Sequence, residues 1–255
     1  MPTWDPTRYL QFSNDRSRPF LDLIAQVVGD PATIVDLGCG PGHLTKVLRA
    51  RWPGAEILGV DSSPDMIERA SADNDDPHAR YAVADVSEFR PEGSVDLIVS
   101  NAMFQWLPDQ FDVIGSLLDS LTEHGTVAIQ VPNNAESATH QTLARLADTE
   151  PYRKYMHDAR RLPAITPEQY LEFFAGRGFA VNAWSTTYLH VLQGQDPVFD
   201  WISGTGARPF LQALNDELRE KFTVELKAAL RESYPAQDWG TVLPFRRTFV
   251  VASRV

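Results

Sequence analysis

The stretch V-D-L-G-C-G-P-G at residues 35–42 combines one acidic side chain with three closely spaced glycines. Gly38, Gly40 and Gly42 allow the backbone to turn tightly and allow a ligand to approach the main chain. Asp36 stands two residues before the first glycine, near the end of a short apolar run. The pattern predicts a ligand-binding turn between a strand and a helix, with a carboxylate beside bare backbone.

The charge of Asp36 and the residue at position 43 indicate which ligand this turn prefers. The dinucleotide fingerprint G-x-G-x-x-G requires glycine at position 43, where this chain has His43. Asp36 would repel a pyrophosphate, whereas it would attract an ammonium group about 4 Å away by roughly 4 kcal/mol before desolvation is counted. S-adenosylmethionine carries an ammonium and a sulfonium but no phosphate. The turn therefore favours this cofactor over NAD.

Two further acidic residues close the next predicted strands. Asp61 can accept hydrogen bonds from ribose hydroxyls, a role that serves either cofactor. Asp85 can accept from the adenine amino group, with the amide of Val86 facing a ring nitrogen, or it can simply cap a helix. Because the carboxyl ends of parallel strands share one edge of a sheet, we expect the three carboxylates at that edge.

Strand and helix patterns alternate over the first three-fifths of the chain, which predicts a parallel sheet covered on both faces. The first helix is predicted over 17–28, with Ser17 as its cap and Pro19 in its first turn. The predicted strands are 33–37, 56–61, 80–85, 95–101, 126–132, 179–192 and a closing strand at 246–254. Further helices are predicted over 43–52, 62–70 and 111–121, and helical patterns fill much of 133–178 and 196–234.

Composition and charge exclude several classes of function. The net charge of −11 argues against nucleic-acid binding, and an anionic substrate would need a local cluster of cations. Cys39 is the only cysteine, so the chain forms no internal disulfide and fits a reducing compartment. The first residues lack the features of a secretory signal, no apolar run approaches a membrane span, and the histidines lack metal-ligand spacing. These features predict a cytoplasmic protein that binds a small molecule, without metal, membrane or disulfide-linked partner.

Several motifs together resemble the class I, Rossmann-like S-adenosylmethionine-dependent methyltransferases. They are V-D-L-G-C-G-P-G, G-V-D-S-S at 59–63, the strand end at Asp85 and V-D-L-I-V-S-N-A-M-F-Q-W-L at 95–107. The resemblance implies an α/β fold: a seven-stranded, mostly parallel sheet with an antiparallel last strand and a helical cap. We accordingly predict a single domain over 1–255, made of a cofactor-binding core (30–132), a mostly helical cap and substrate region (133–245) and the closing strand (246–254).

Other motifs extend the resemblance to the trans-aconitate 2-methyltransferase family. They include W-D-P-T-R-Y-L-Q-F at 4–12, W-S-T-T-Y at 184–188 and D-W-I-S-G-T-G-A-R-P-F-L at 200–211. The resemblance implies an enzyme that forms the monomethyl ester of trans-aconitate, with S-adenosylhomocysteine as the second product. A carboxylate substrate is already anionic at neutral pH and can attack the sulfonium methyl directly. We therefore predict no catalytic general base.

The candidate site residues fall into two sets. The predicted cofactor-binding residues are Asp36, Gly38, Gly40, Gly42, Asp61, Ser62, Asp85, Val86, Asn101 and Gln105. The predicted substrate-binding residues are Arg208, Arg247, Tyr188, His190, Trp106, Trp201 and Tyr9. Each arginine can instead be a surface or ion-pairing residue, and the aromatic residues can instead pack in the core.

Three alternatives to the leading interpretation stay open. The chain can be a methyltransferase for another small polycarboxylate or small molecule, or a sensor that binds S-adenosylmethionine without transferring its methyl group. A nicotinamide-dependent oxidoreductase is the third, although Asp36 and His43 argue against it.

Overall fold

The structure is a computed structural model that describes residues 13–156 and 164–255, with the backbone alone for residues 13–16. The helices of this part are α1 (Ser13–Ile24), α2 (Thr45–Arg51), α3 (Pro64–Ala72), α4 (Gln110–Leu118), α5 (Ala138–Ala147), α6 (Pro167–Ala175), α7 (Pro197–Ser203), α8 (Arg208–Ala213) and α9 (Asp216–Ser233). The strands are β1 (Thr33–Leu37), β2 (Glu56–Asp61), β3 (Ala79–Val83), β4 (Val95–Asn101), β5 (Leu121–Pro132), β6 (Phe179–Leu192) and β7 (Thr241–Arg254). Short 3₁₀ helices occupy Phe104–Trp106 and Arg153–Tyr155.

The strands form one seven-stranded sheet in the order β3-β2-β1-β4-β5-β7-β6. Neighbours from β3 to β5 pair in parallel, and β7 pairs antiparallel with β5. The chain runs outward from β1 to β3 and then returns to place β4 on the other side of β1. This reversal creates the switch point at which open α/β sheets bind ligands. The predicted fold class is confirmed.

The described residues group into two compact units. The core unit consists of residues 13–132, 165–186 and 247–255, and the second unit of residues 133–156, 164 and 187–246. β6 and β7 each contribute residues to both units. The predicted division into 30–132, 133–245 and 246–254 within a single domain remains a prediction.

Apolar residues on both faces of the central strands build the core of the first unit. β1 and β4 are buried almost throughout, as expected for parallel strands covered on both sides. Val113, Ile114 and Leu117 of α4 and Tyr170 and Phe174 of α6 pack in the same cluster. Burial of these side chains holds the carboxyl ends of β1 and β4 side by side, where the predicted ligand turn lies.

The predicted start of α1 is wrong. The helix begins at Ser13, so Ser17 is not its cap and Pro19 lies inside the helix. Phe20 and Ile24 are buried, and their packing outweighs the hydrogen bond that proline cannot donate. The helix ends at Ile24 rather than at residue 28, and the chain leaves through a turn.

Three strand boundaries also differ from the predictions. β3 ends at Val83, so Asp85 lies in the following turn. β5 begins at Leu121, which pairs with Val95 before the register shifts. β7 begins at Thr241, five residues before the predicted start, and includes the exposed Pro244.

Two helices begin with a side-chain cap and a proline in the first turn. Ser63 accepts a hydrogen bond from the amide of Met66, and Pro64 is the first residue of α3. Thr166 and Gln169 form a capping box at the start of α6. Within residues 13–156 and 164–255, no helix is both long and apolar enough to cross a bilayer.

Candidate cofactor and substrate sites

The glycine turn after β1 is fixed against the neighbouring strand. The amides of Gly38 and Cys39 donate to the carbonyl of Val60 at 2.7 and 3.0 Å. Gly38, Gly40 and Gly42 have φ of 74°, 57° and 73°. These left-handed conformations are unfavourable for residues that carry a Cβ. The turn therefore favours glycine at each of these three positions.

The three glycines face different surroundings. A Cβ at Gly38 would lie 2.5 Å from the Cβ of Met103, and one at Gly42 would lie 2.8 Å from the hydroxyl of Tyr81. A Cβ at Gly40 would meet no other described atom within 4 Å, its chain neighbours apart. Packing thus explains the outer two glycines, whereas the middle one borders open space from which a ligand can approach the backbone.

Asp36 is a buried carboxylate beside this turn. The residue is 2% exposed, and its Oδ2 has no hydrogen-bond partner among the described residues. Burial, reinforced by the nearby carboxylate of Asp61, raises the pKa of Asp36 to about 7. A cation placed against Oδ2 would stabilise the ionised form and relieve the cost of burial.

Asp61, at the end of β2, is tied to both of its neighbouring turns. Its Oδ2 accepts from the amide of Gly40 at 3.0 Å, and its Oδ1 accepts from the amide of Ser63 at 2.9 Å. Each carboxylate oxygen has a second lone pair, so hydrogen bonds from ribose hydroxyls remain available. Ser62, the next residue, is exposed.

Asp85 is anchored by the turn in which it lies. Its Oδ1 accepts from the amide and the hydroxyl of Ser87 at 2.9 and 2.7 Å. These two hydrogen bonds lower the pKa of the Asp85 carboxyl. Asp85 thus caps a turn rather than a helix, because residues 86–88 form a turn, and Oδ2 is the oxygen left to reach a ligand. Val86, whose amide was predicted to face the adenine ring, has a buried side chain.

The last residue of β4 and the 3₁₀ helix that follows supply two more acceptors. Asn101 is 8% exposed, and its Oδ1 is buried without a hydrogen-bond partner in the described part of the chain. The same holds for Oε1 of Gln105, whose amide nitrogen donates to the carbonyl of Ala102. Ala102 has a φ of 59°, a conformation that non-glycine residues rarely adopt and that commonly marks a functional site.

These acceptors belong to one edge of the sheet. Asp36 pairs in register with Val99, so Asn101 lies one strand over and two residues further along, on the same face. Buried oxygens without partners are rare in native proteins and need an explanation. Asp36, Asn101 and Gln105 together offer three acceptors, and an ammonium group has three donors. The residues present therefore fit S-adenosylmethionine.

An aromatic cluster occupies the second unit. The ring planes of Tyr188 and His190 are 15° apart with centroids 6.3 Å from each other, and the two residues share one face of β6. The ring centroid of His190 lies 4.4 Å from that of Trp201. The ring centroid of Phe245 lies 6.2 Å from that of His190 and 5.9 Å from that of Trp201. Trp201 is 1% exposed, so it packs in the interior of this unit.

The two arginines occupy different settings. Arg208 is half-buried at the start of α8, in the second unit. Arg247, in the core unit, is 4% exposed, and its Nη1 donates to Oε1 of Gln130 at 2.9 Å. Trp106 is half-buried in the 3₁₀ helix after β4, and Tyr9 lies outside the described residues.

Comparison with known proteins shows the family to which the chain belongs. A family model described as a methyltransferase domain matches residues 10–183. The trans-aconitate 2-methyltransferase of Streptomyces avermitilis is 45% identical over 100% of this chain and 98% of its own length. The chain belongs to the trans-aconitate 2-methyltransferase family. The predictions of an enzyme, a methyltransferase, and of S-adenosylmethionine as its methyl donor are confirmed.

Solved structures support the fold of this methyltransferase. A chain of the Haloferax volcanii complex that contains the methyltransferase activator Trm112 matches with a TM-score of 0.58 and 19% identity, covering 98% of this chain and 93% of that chain. The plantazolicin methyltransferase BpumL, solved with S-adenosylhomocysteine, matches with a TM-score of 0.51 and 17% identity, covering 98% and 85%. At these identities the likeness concerns the fold alone.

Two residues that resemble reactive groups are inert in this methyltransferase. Burial, together with the carboxylates of Asp36 and Asp61, raises the pKa of the Cys39 thiol, so it stays protonated and is a poor nucleophile. Burial lowers the pKa of His43 to about 4, so its imidazole is neutral at pH 7. Among the described residues, no group of three His, Cys, Asp or Glu side chains is placed to hold a metal ion.

Sequence reasoning missed two residues of this region. Met103 packs under Gly38, a contact across 65 residues of sequence that no local pattern signals. Gln130, on β5, accepts a hydrogen bond from the guanidinium of Arg247. A signal for Gln130 was present, because it is the one polar residue between Ala128 and Val131 in an otherwise apolar run.

Proposed function

We propose that this methyltransferase transfers a methyl group from S-adenosylmethionine to a carboxylate of trans-aconitate, giving the monomethyl ester and S-adenosylhomocysteine. The observation that carries the proposal is the extent of the similarity to the Streptomyces avermitilis enzyme, which covers all of this chain. It includes the second unit, where Arg208 and the aromatic cluster lie, and not only the cofactor-binding core. Substrate choice commonly depends on such regions, because the cofactor fold serves many substrates.

The cofactor would be held by the residues at the carboxyl edge of the sheet. Asp36, Asn101 and Gln105 would accept hydrogen bonds from its ammonium group, and Asp61 with Ser62 would lie at the ribose. Asp85 and the amide of Val86 would contact the adenine, while Gly38, Gly40 and Gly42 admit the methionine portion close to the backbone. When bound, S-adenosylmethionine supplies an electrophilic methyl group on its sulfonium.

The protein's contribution to the reaction is positioning rather than proton transfer. A substrate carboxylate has a pKa near ~4, so its oxygen is nucleophilic at neutral pH without a base. The neutral His43 and the protonated Cys39 are consistent with a site that moves no proton. Alignment of the reacting groups and exclusion of water can lower the barrier by roughly 7–11 kcal/mol.

Cationic side chains would neutralise the substrate carboxylates that do not react. Arg247 is buried in the core unit, where a guanidinium can bind a carboxylate through two parallel hydrogen bonds. Arg208, Tyr188, His190, Trp106, Trp201 and Tyr9 remain predicted substrate contacts. The partner is thus a small anionic molecule, and we place the enzyme in the cytoplasm.

The direct test supplies the purified chain with methyl-labelled S-adenosylmethionine and trans-aconitate. We expect labelled monomethyl ester and an equal amount of S-adenosylhomocysteine. A panel of other di- and tricarboxylates, run alongside, measures selectivity. Binding of the cofactor without turnover of any acid would favour a sensor, and turnover of another acid alone would replace trans-aconitate as the substrate.

Arg208→Ala tests the contribution of the second unit. Loss of a guanidinium–carboxylate contact should raise the KM for the acid about tenfold to hundredfold and change the KM for the cofactor little. Steady-state kinetics with each substrate varied in turn measures both values. Equal increases in the two KM values would contradict a substrate contact.

A further inference from the structure

Gln130 is a fully buried polar residue of β5 whose side-chain oxygen accepts a hydrogen bond, whereas its side-chain nitrogen makes none with the described residues. It is 0% exposed, and its Oε1 accepts the hydrogen bond from Arg247. A guanidinium can only donate, so the amide oxygen must face Arg247 and the amide nitrogen must face away. That nitrogen, Nε2, is buried and has no hydrogen-bond partner among the described residues.

Gln130 also lies at the ligand-binding edge of the sheet. It pairs in register with Asn101 on β4, and its carbonyl accepts from the amide of Ala102 at 2.8 Å. Across the antiparallel pair, Arg247 is opposite Pro132, so its side chain leaves the sheet on the same face as Gln130. The unused donor therefore belongs to the strand ends that carry the predicted cofactor residues.

The chemistry of the unused group specifies its ligand. Nε2 carries N–H donors and stands next to a guanidinium that is itself buried, so the complementary ligand group is an acceptor with negative charge. The ammonium of the cofactor is a donor and matches Asp36 and Asn101 instead. A carboxylate has two oxygens that can accept from an amide and a guanidinium at once.

We propose that Gln130 contacts the methyl acceptor: Nε2 and the guanidinium of Arg247 together bind one carboxylate of the acidic substrate. Oε1 of Gln130 holds the guanidinium in the orientation that this binding needs. The inference rests on the proposed function, since it takes the bound anion to be the methyl acceptor. It makes Gln130 a specificity-determining residue for substrates with an additional carboxylate.

Gln130→Glu is the informative variant, because it keeps the size and the bond to Arg247 but removes the donor and neutralises the cation. We expect the KM for trans-aconitate to rise about tenfold to hundredfold, with the KM for S-adenosylmethionine within about twofold of the original. Preference for tricarboxylates over acids with one carboxylate fewer should shrink by a similar factor. If neither Gln130 nor Arg247 contacted the acid, the KM would stay unchanged, because the bond to Arg247 is retained.

Gln110→Glu is the matched control. Gln110 is 5% exposed in the same unit, and its Oε1 accepts from the hydroxyl of Tyr170 at 2.7 Å. It is a buried glutamine outside the proposed site, so its variant should keep the original KM for the acid. Gln130→Met, which removes the bond to Arg247 and the Nε2 donor, serves as the second variant if Gln130→Glu does not fold.

A binding measurement separates this inference from the proposed function. The protein loaded with S-adenosylhomocysteine is heated with and without trans-aconitate, citrate or succinate, and the shift in Tm is recorded. We expect the polycarboxylates to raise the Tm of the original protein and of Gln110→Glu, but not that of Gln130→Glu. A shift without any ester formation would overturn the proposed substrate and keep the anion site.

Two results would overturn the inference itself. One is a Gln130→Glu or Gln130→Met variant that folds and keeps the original KM and substrate preference. The other is failure of both variants to fold, which would assign Gln130 a structural role alone. Ester formation by the original enzyme would leave the proposed function standing in either case.

Discussion

Asp36, near the end of β1, and Asp85, two residues after β3, were both predicted at the carboxyl edge of the sheet, yet their pKa values are shifted in opposite directions. Asp36 is buried with Oδ2 unpaired, and burial raises its pKa to about 7. Asp85 is half-buried, and hydrogen bonds from Ser87 lower its pKa. Asp36 would therefore be stabilised by a bound cation, whereas Asp85 already accepts hydrogen bonds within its own turn.

The difference shows that a strand-end carboxylate is not by itself a ligand site. What distinguishes Asp36 is a desolvation penalty that no group of the described protein offsets. A ligand that offsets it gains affinity, and the protein without ligand carries the cost. For Asp85 the hydrogen bonds from Ser87 outweigh the cost of burial, so its contribution to cofactor binding should be smaller and should depend on Oδ2 alone.

Asp36→Asn should produce the largest effect in this comparison. Loss of the charge is expected to weaken binding of S-adenosylhomocysteine about a hundredfold, since the pair is buried. The same change should raise the free energy of unfolding of the ligand-free protein at pH 8 by about 2 kcal/mol, because an ionised buried carboxylate is removed. Calorimetry and urea unfolding measure the two quantities.

Asp85→Asn is the control for this experiment. It should weaken cofactor binding less than tenfold and should not stabilise the protein. If Asp85→Asn weakens binding more than Asp36→Asn does, the proposed contact between Asp36 and the ammonium is wrong.

The pH dependence of cofactor binding provides the second test. Below the pKa of about 7, Asp36 in the free protein is increasingly protonated, so binding of a cationic ammonium requires loss of that proton. Affinity should rise about tenfold per pH unit up to pH 7 and then level off. Calorimetry in buffers of different ionisation enthalpy should detect the released proton at pH 6, and Asp36→Asn should abolish this release.

The ionisation of Asp36 should also make the free energy of unfolding depend on pH, but this energy should fall with rising pH where cofactor affinity rises. The pKa of Asp36 is raised from 3.8 in the unfolded chain to about 7 in the folded protein. The folded state therefore binds more protons between these values, and the contribution of Asp36 to stability falls as pH rises from about 4 to about 7. The difference in unfolding free energy between the original protein and Asp36→Asn, measured across this range, isolates the effect. A difference that is constant with pH would contradict the raised pKa.

Ser87→Ala should give the smallest change. The variant loses the hydroxyl donor to Asp85 but keeps the amide donor, so the free energy of unfolding should fall by about 1 kcal/mol. The pKa of Asp85 should rise towards its ordinary value, which carboxyl NMR titration can follow. Ser233→Ala, at the end of α9, should leave that pKa unchanged.

Local sequence patterns identified the strands and the glycine turn because both depend on short segments. β1, β2 and β4 were predicted to the residue, since each is an apolar run bounded by polar or glycine residues. The start of α1 was missed because Pro19 is a plausible first-turn residue, and only the burial of Phe20 and Ile24 explains a longer helix.

The candidate site was predictable only in part for a related reason. Asp36 was identified as a ligand group from its charge and its position beside glycines. That one of its oxygens is buried without a partner could not be predicted, because burial depends on residues distant in the sequence. The pairing of Arg247 with Gln130 joins residues 117 positions apart through the antiparallel strand. Such contacts follow from packing between distant segments, which a single sequence does not encode in any local pattern.

The left-handed alanine after β4 has a consequence for how the enzyme meets its ligands. The N–H of Ala102 is held by the carbonyl of Gln130, and its carbonyl is held by the side chain of Gln105. Both polar groups of this residue are thus clamped in a conformation that costs about 1–2 kcal/mol for an L-amino acid. The corner is therefore rigid before any ligand arrives, and the entropy of ordering Gln105 is lost during folding instead of during each catalytic cycle.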